Sequence, residues 1–251
     1  MKIYTGTSGY SYKEWKGYFY PEKISADKML SYYADKLTAV EINNTYYRMP
    51  KMSVIESWAG KVPPDFMFAV KAPQIITHIK RLKDVGEETG HFLSVVPGLK
   101  KKLGAVLFQF PASFRQDTPL LENFLKHIPP GIPCAFDFRS ATWFNDETYS
   151  LLGKREFALC LEDTDKKPVE DITSTASWGY FRLRRNNYSD ADLSDWVKKI
   201  LKMKWQKIFI FLKHEGDEAR GPLLASNLRN LFDSLNSFGN VPEIMCVISR
   251  C

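Results

Sequence analysis

Long apolar runs and paired cysteines are both missing from this sequence. The longest purely apolar runs are about five residues, such as 208–212, whereas a membrane-spanning helix needs about 20. The chain runs straight into the strand-like Ile3-Tyr4-Thr5, without the basic, apolar and cleavage regions of a secretory signal. Cys134 and Cys160 fall in apolar runs, and no C-x-x-C pair occurs, which favours small core residues in a reducing compartment. We therefore expect a cytoplasmic protein with no membrane partner.

Familiar catalytic motifs are absent as well. The segment Gly6-Thr7-Ser8-Gly9 has neither the G-x-G-x-x-G spacing that cradles a pyrophosphate nor the G-x-S-x-G of a nucleophile elbow. Ser8 is therefore predicted to be a turn residue. No H-x-x-x-H or His-Cys spacing indicates a metal site, so no cofactor is predicted. A divalent metal remains the less favoured alternative, with the candidate ligands Glu41, His78, Asp137, Glu162 and His214.

What the sequence does contain is a regular series of strand-like segments. The chain has 251 residues and a net charge of +6, and its length is typical of a (β/α)8 barrel. Short β-branched and aromatic runs begin near Ile3, Ala39, Phe66, Ala105, Cys134, Phe157, Tyr180 and Ile208. Their mean spacing of about 29 residues leaves room for a helix in every crossover. Two helix starts are indicated by Ser25 and by Ser189 or Asp190. We predict an α/β fold, a single (β/α)8 TIM barrel spanning residues 1–251.

Alternation within these strands predicts which side chains face the barrel axis. In the fifth strand Phe136 and Phe138 share one face, while Ala135, Asp137 and Arg139 share the other. Large apolar side chains belong outside, under the helices, so the second set faces inward. Six strands become polar or charged on this inward face near their C-terminal ends, where barrel enzymes carry their active sites. The inward polar residues are Glu41, Asn43, Lys71, Gln109, Asp137, Arg139, Glu162, Arg182 and Arg184.

Several blocks of this sequence resemble the YecE-like family (domain of unknown function 72). They include Gly6-Thr7-Ser8-Gly9-Tyr10-Ser11-Tyr12, Val40-Glu41-Ile42-Asn43, Phe68-Ala69-Val70-Lys71-Ala72-Pro73 with Thr77-His78, and Leu107-Phe108-Gln109-Phe110-Pro111. The likeness runs from Met1 to about Leu235 and implies a (β/α)8 barrel, but no reaction.

Three strand ends depart from the family pattern, and all three lie at the predicted mouth of the barrel. Phe136-Asp137-Phe138-Arg139-Ser140 stands where Glu-Phe-Arg-His is familiar. Arg184-Arg185 stands where His-Gly is common, and Lys213-His214-Glu215 stands where paired asparagines are common. A ligand shared by the whole family is therefore in question.

The inward charges near the mouth favour an anionic ligand. Glu41, Asp137 and Glu162 oppose four cations, Lys71, Arg139, Arg182 and Arg184. Buried ions must form ion pairs, stay hydrated or contact a ligand. A purely structural ion network is therefore the alternative to ligand binding. An excess of arginine and lysine suits carboxylate or phosphate.

Three residues are predicted to be catalytic, namely Glu41, His78 and Asp137. Glu41 is the preferred acid or base, and the alternative is a fixed counter-ion of Arg139 or Arg182. Lys71 is interpreted as an anchor for an anion, with imine formation as the less favoured role. His78 either moves protons at neutral pH or satisfies backbone groups.

Aromatic residues crowd the loop after the first strand, from Tyr10 to Tyr20. Most are expected to pack the loop onto the barrel, while Tyr12 and Trp15, and Tyr46 after the second strand, are predicted to contact substrate. The same rings and the basic runs 80–81, 100–102 and 184–185 also permit contact with nucleic-acid phosphates, although no recognition motif accompanies them.

Taken together, the sequence predicts an enzyme with hydrolytic or phosphoester chemistry on a phosphorylated or carboxylated substrate, binding through the inward residues above together with Tyr12, Trp15, Tyr46 and His214. The alternative is a non-catalytic nucleic-acid binder. Oligomeric state has no signal in the sequence.

Overall fold

Eight parallel strands close into a barrel in the order of the chain. The computed structural model describes residues 1–213 and 219–238. Each strand pairs with the next, and the last, β8, pairs with the first, β1. The strands are β1 (Lys2–Ser8), β2 (Ala39–Ile42), β3 (Met67–Lys71), β4 (Leu103–Phe110), β5 (Cys134–Phe138), β6 (Ala158–Asp163), β7 (Trp178–Leu183) and β8 (Lys207–Leu212). The predicted fold class is confirmed.

Seven α-helices of the described residues lie between or after the strands. They are α1 (Ala26–Ala34), α2 (Met52–Gly60), α3 (Gly86–Val95), α4 (Thr118–Leu125), α5 (Asp146–Gly153), α6 (Asp190–Leu201) and α7 (Arg220–Phe238). The connection from β6 to β7, residues 164–177, is a loop and contains no helix, so the room that the mean strand spacing leaves for a helix in every crossover is not used there. Pro168 interrupts this segment, which contains few apolar residues with which a helix could pack onto the barrel.

Local capping differs between the two predicted helix starts. At α6, Ser189 accepts a hydrogen bond from the backbone N–H of Asp192, whose carboxylate accepts one from the backbone N–H of Ser189. This reciprocal pair satisfies two otherwise unpaired donors and begins the helix at Asp190. Ser25 occupies the N-cap position of α1 with extended backbone, but its side chain makes no capping bond.

Two buried layers follow the alternation of the strands. Phe68, Phe108 and Phe136 belong to the outer layer, between the sheet and the helices. The inner layer fills the barrel with small residues beside large rings: Ala39, Ala69, Ala105, Leu107, Ala135, Ala158, Cys160, Ala176, Trp178, Tyr180, Phe209 and Phe211. Cys134 and Cys160 are buried free thiols, as the apolar runs around them predict. Cys246 and Cys251 lie outside the described residues.

The basic run 100–102 lies just before β4, at the N-terminal end of the barrel and away from the predicted mouth. The Lys102 ammonium donates to the carbonyl oxygens of Ala59 and Val62, both at 2.6 Å. Ala59 lies in the last turn of α2 and Val62 just beyond its end, where backbone acceptors lack helical partners and a positive charge is stabilising. Lys102 is therefore a structural residue that anchors α2 to the loop before β4.

We expect Lys102→Met to lower the free energy of unfolding by about 1–2 kcal/mol, because two partly buried carbonyls lose a charged donor. Urea denaturation at pH 7 measures this difference. Lys101→Met is the matched control, since Lys101 is exposed. Equal stability of the two variants would contradict the anchoring role.

No helix among residues 1–213 and 219–238 is long and apolar enough to cross a membrane.

Candidate functional site

The C-terminal ends of the strands bring the predicted charged residues together. Parallel pairing sets Ser8 beside Glu41, Gln109 beside Asp137 and Glu162 beside Arg182. Most of these side chains alternate with outward apolar neighbours, and all of them meet inside the barrel at one end. Residues as distant in sequence as Glu41 and Arg184 are within hydrogen-bonding distance there.

Arg182 is the centre of this cluster and is 4% exposed. Its Nε and Nη2 donate to the two carboxylate oxygens of Glu41 at 3.1 and 3.0 Å, a bidentate pair. Its Nη1 bridges Asp137 Oδ2 at 3.1 Å and Glu162 Oε1 at 3.2 Å. One guanidinium thus connects three carboxylates that would otherwise repel one another.

Glu41 is fully buried and its carboxylate is surrounded by donors. Besides Arg182, its oxygens accept hydrogen bonds from Ser8 Oγ at 2.6 Å, Tyr180 OH at 2.8 Å and Asn43 Nδ2 at 3.1 Å. Burial by itself would raise the pKa of Glu41, but the charges of Arg182 and Arg184 outweigh it and hold that pKa far below the usual range. These contacts favour the fixed counter-ion over the acid or base, with Arg182 as its partner.

Above this buried layer lie two arginines that reach solvent. The Arg139 side chain is 37% exposed and donates through Nη2 to Glu162 Oε1 at 2.5 Å. The Arg184 side chain is 14% exposed and donates through Nη2 to Ser8 Oγ at 2.7 Å. The carboxylates of Glu41 and Asp137 below them are at most 2% exposed. The level that reaches solvent therefore holds two arginines and one acid, Glu162 at 11% exposed, whereas the layer beneath it holds Arg182 with two carboxylates.

Glu162 differs from Glu41 although both face Arg182. Burial and the nearby charge of Asp137 raise the pKa of Glu162, and the surrounding arginines offset this only in part. Its side chain is 11% exposed, at the boundary between the buried layer and solvent. The environments of the two glutamates thus push their pKa values in opposite directions.

Lys71 ends β3 on the other side of the mouth. Its ammonium donates to Gln109 Oε1 at 2.6 Å, and Gln109 Nε2 donates in turn to Asp137 Oδ2 at 2.7 Å. The ammonium also lies 4.3 Å from the centre of the Tyr46 ring, a cation–π contact. Burial and the charge of Arg182 lower the pKa of Lys71 to about 8.

His78 belongs to a π-helical turn, Ile75–Ile79, that follows β3. Such turns are rare and recur at functional sites. The His78 ring meets the Tyr46 ring edge-on at 5.0 Å, and its Nδ1 lies 2.9 Å from Thr77 Oγ1. Burial and the charges of Lys71 and Arg139 lower the pKa of His78, so its imidazole is neutral at pH 7.

A cavity of about 450 Å³ opens beside this mouth, between β5 and β6. These strands pair only at Ala135 with Ala158 and at Phe136 with Leu159. The barrel wall is therefore split toward its C-terminal end, whereas the β6–β7 ladder continues to Asp163. The cavity is lined by Asp137, Arg139 and Glu162 and by apolar groups of Phe138, Phe144 and Val169.

The loop over this cavity, residues 164–177, is held by one buried carboxylate. Asp163 accepts a hydrogen bond from the backbone N–H of Val169 at 3.0 Å through Oδ1. Its Oδ2 accepts from Tyr188 OH at 2.8 Å and pairs with the Arg185 guanidinium, also at 2.8 Å. The charge of Arg185 is therefore neutralised locally.

Two predicted aromatic contacts have different outcomes. Trp15 is completely buried, with Tyr12, Phe19 and Tyr20 around it, so its ring presents no surface to a ligand, and its contact with substrate stays a prediction. Tyr12 is half-buried and its hydroxyl donates to the Ser8 carbonyl at 2.7 Å.

Sequence reasoning missed two groups of the cluster and leaves one untested. Ser8 was expected only to shape a turn, yet it links Glu41 to Arg184. Tyr180 donates to Glu41, and its position two residues before Arg182 on the same face is the signal that identifies it. His214 lies outside the described residues.

The alternative of a metal site is not supported by the part of the chain that the structure describes. Within residues 1–213 and 219–238, no group of three or more histidine, cysteine or acidic side chains is arranged to hold a metal ion. The carboxylates of Glu41, Asp137 and Glu162 are instead bridged by the guanidinium of Arg182.

Comparison with known proteins places these features in a family context. Residues 4–243 match the family model described as protein of unknown function DUF72. The chain is 32% identical over 155 residues to UPF0759 protein YunF of Bacillus subtilis and 30% identical over 116 residues to UPF0759 protein YecE of Escherichia coli. These alignments cover 59% and 46% of this chain, and 54% and 43% of those proteins. The chain thus spans about half the length of the curated relatives it matches.

Solved structures agree with the barrel. A DUF72 family protein of Thermotoga maritima superposes with a TM-score of 0.81 at 26% identity, covering 93% of this chain and 100% of that one. A DUF72 family protein of Enterococcus faecalis gives 0.77 at 19% identity, covering 92% and 95%, and shows the fold alone. The resemblance carried by the sequence blocks is confirmed.

Proposed function

Since the chain belongs to the DUF72 family of proteins of unknown function, its role has to come from the site itself, and we propose that it is an enzyme that binds a phosphorylated or carboxylated small molecule at the C-terminal mouth of the barrel. Arg139 and Arg184 hold the anionic group, and Lys71 lies on the other side of the same mouth. Glu41, which is fully buried, positions these cations and does not meet the ligand.

The proposal rests on a difference in exposure between the carboxylates of Glu41 and Asp137 and the guanidinium groups of Arg139 and Arg184. The carboxylates of Glu41 and Asp137 are at most 2% exposed, whereas Arg139 and Arg184 above them are 37% and 14% exposed. A purely structural network needs no such order, because its ions only have to pair. Exposed guanidinium groups with spare donors match the oxygens of phosphate and carboxylate.

The neighbouring cavity supports a small ligand. Its volume of about 450 Å³ falls within the range of small-molecule sites, roughly 300–1,000 Å³. Its charged side contains Arg139 and Lys167 together with acidic residues, and Phe138, Phe144 and Val169 form an apolar wall; the acids are Asp137, Glu162, Glu170 and Asp171. The anionic group would contact Arg139, with the body of the molecule against the apolar wall.

Proton transfer is assigned to Glu162 and His78 in preference to Glu41. When the surroundings raise the pKa of one carboxyl group and lower that of another, the first can exchange a proton and the second stays ionised. Burial and the charge of Asp137 raise the pKa of Glu162 toward neutral pH, whereas the lowered pKa of His78 keeps its imidazole neutral and able to accept a proton. Hydrolytic or phosphoester chemistry stays a prediction.

Anion binding is measured by calorimetric titration with inorganic phosphate, 3-phosphoglycerate and phosphoenolpyruvate at low salt. We expect at least one of the organic phosphates to bind, and Arg139→Gln or Arg184→Gln to weaken it by about tenfold, the loss of one charged hydrogen bond. Raised salt should weaken the remaining binding, because the contacts are partly exposed.

Arg229→Gln is the matched control, since this arginine sits on the surface of α7 and pairs with Asp233. Its affinity for each anion should equal that of the unaltered chain. An absence of binding, or equal loss in all three variants, would overturn the proposal.

The nucleic-acid alternative has weaker support. Lys102 of the basic run 100–102 anchors α2 at the other end of the barrel. Arg185 is paired with Asp163, and Trp15 is buried within its loop. No observation on the described residues joins these groups into one basic surface.

A further inference from the structure

Lys71 stands apart from the other cations of the mouth. Arg139, Arg182 and Arg184 are each ion-paired with a carboxylate. The Lys71 ammonium instead has the neutral amide oxygen of Gln109 at 2.6 Å and the face of the Tyr46 ring at 4.3 Å. No carboxylate of the described residues lies within 4 Å of it. A cation that only balances charge would be expected beside an acid.

The amide of Gln109 is fixed so that it aims the Lys71 amine. Gln109 Nε2 donates to Asp137 Oδ2 at 2.7 Å, which turns its Oε1 toward Lys71. Asp137 is itself held by Arg182. The amine thus has one hydrogen bond of fixed direction, while its other two hydrogens and, after deprotonation, its lone pair are available to a ligand.

From this geometry we propose that Lys71 is a nucleophile that forms an imine with a small anion bearing an aldehyde or ketone. The inference rests on the anion site proposed above and specifies its substrate class. Arg139 and Arg184 hold the phosphate or carboxylate, and the carbonyl carbon faces the Lys71 amine.

The reaction needs no oxidant or reductant. The neutral amine of Lys71 attacks the carbonyl carbon, and the carbonyl π electrons move to oxygen. A proton transferred from nitrogen to that oxygen gives a carbinolamine. A second proton delivered to the hydroxyl expels water as the nitrogen lone pair forms the C=N bond, leaving an iminium that loses a proton to give the imine. Amine and carbonyl become imine and one water.

Imine formation needs a neutral amine and a group that transfers protons, and the surroundings of Lys71 supply both. Burial and the charge of Arg182 lower the pKa of Lys71 to about 8, so about a tenth of the amine is neutral at pH 7. The His78 ring packs against the Tyr46 ring, the same ring that the Lys71 ammonium contacts. As a neutral imidazole at pH 7 it can accept the proton that the amine loses and return it to the departing hydroxyl.

Pyridoxal 5′-phosphate is the probe, because it combines an aldehyde with a phosphate. The full chain is incubated with it at pH 7.5 and reduced with sodium borohydride, and labelled lysines are located by peptide mass spectrometry. We expect Lys71 to be labelled about tenfold faster than exposed Lys101, and excess 3-phosphoglycerate to suppress labelling at Lys71 alone.

Two variants provide the controls. Lys71→Arg keeps the charge but not the nucleophile, so the site-specific adduct should vanish while calorimetric binding of 3-phosphoglycerate persists. Lys207→Arg changes another partly buried lysine of lowered pKa, at the opposite end of the barrel, and should leave labelling of Lys71 unchanged.

The outcomes separate this inference from the one it rests on. If Lys71 reacts no faster than Lys101 while 3-phosphoglycerate binds and Arg139→Gln weakens that binding, imine formation is overturned and the anion site stands. If neither preferential labelling nor anion binding is seen, both fail. Preferential labelling that survives an excess of phosphorylated competitor would also overturn the proposal, because the anion site would not be directing it.

Discussion

Replacing Arg182 with methionine is expected to lower the free energy of unfolding at pH 7 by about 3–5 kcal/mol, the cost of leaving buried charges without their partner. The guanidinium contacts Glu41, Asp137 and Glu162 within 3.2 Å. Methionine fills similar space but gives these acids no counter-charge. Urea denaturation of the two proteins measures the difference.

The loss should shrink as the pH falls. With Arg182 present, the pKa of Glu41 is held below its unfolded value, so its stabilising effect is complete above the unfolded pKa of about 4.3 and disappears as pH falls through the folded value. Without Arg182, burial raises the pKa of Glu41 and protonation relieves the repulsion. The stabilities of the two proteins should therefore lie closer together at pH 4 than at pH 7.

The control for this experiment is Arg229→Met, which removes an exposed arginine from an i,i+4 pair on α7. Such pairs contribute only about 0.3–0.5 kcal/mol. If Arg182→Met cost no more than this control, or the same at both pH values, the cluster would not be the ionised network described here.

Introducing a single methyl group at Gly6 is expected to destabilise the barrel by about 3 kcal/mol or more. A Cβ placed there would lie 1.8 Å from the Ala39 carbonyl oxygen and 2.9 Å from the Tyr33 hydroxyl. Gly6 is paired with Ala39 across β1 and β2, so relief requires the two strands to move apart. Thermal unfolding of Gly6→Ala would record the effect.

Gly90→Ala is the opposite case and serves as the control. Gly90 lies inside α3 and a Cβ there would meet nothing within 4 Å. Alanine should stabilise this helix by about 0.5–1 kcal/mol. A Gly6→Ala protein as stable as Gly90→Ala would show that β1 and β2 do not approach as closely as the structure has them.

The strands of the barrel can be predicted from the sequence because the alternation of apolar residues is a local property of each segment. The strands predicted to begin at Ala39 and Cys134 begin there, and the one predicted at Ala105 begins at Leu103. The missing helix between β6 and β7 could not be predicted from the mean spacing of the strands, because that mean hides how short this one connection is, residues 164–177. Its proline and sparse apolar residues are the local signal that spacing obscured.

The candidate site can be predicted only in part, for a different reason. Alternation fixes that Glu41, Asp137, Glu162 and Arg182 point inward, but partners depend on strand register and side-chain rotamers across the barrel. Thus Arg182 contacts all three acids, whereas Arg139 reaches Asp137 and Glu162. Trp15 shows the same limit in a loop, where packing has no period and an aromatic residue can be either buried or exposed.

Because β5 and β6 separate toward their C-terminal ends, the opening for a ligand and the fixed ion network lie in different parts of this molecule. The ions beneath the mouth must stay in place, because each depends on Arg182 for neutralisation. The way in along the split wall is bordered by residues 164–173, a stretch without helix. The split wall therefore offers a small molecule a lateral approach that does not require Arg182 to release any of its three carboxylates.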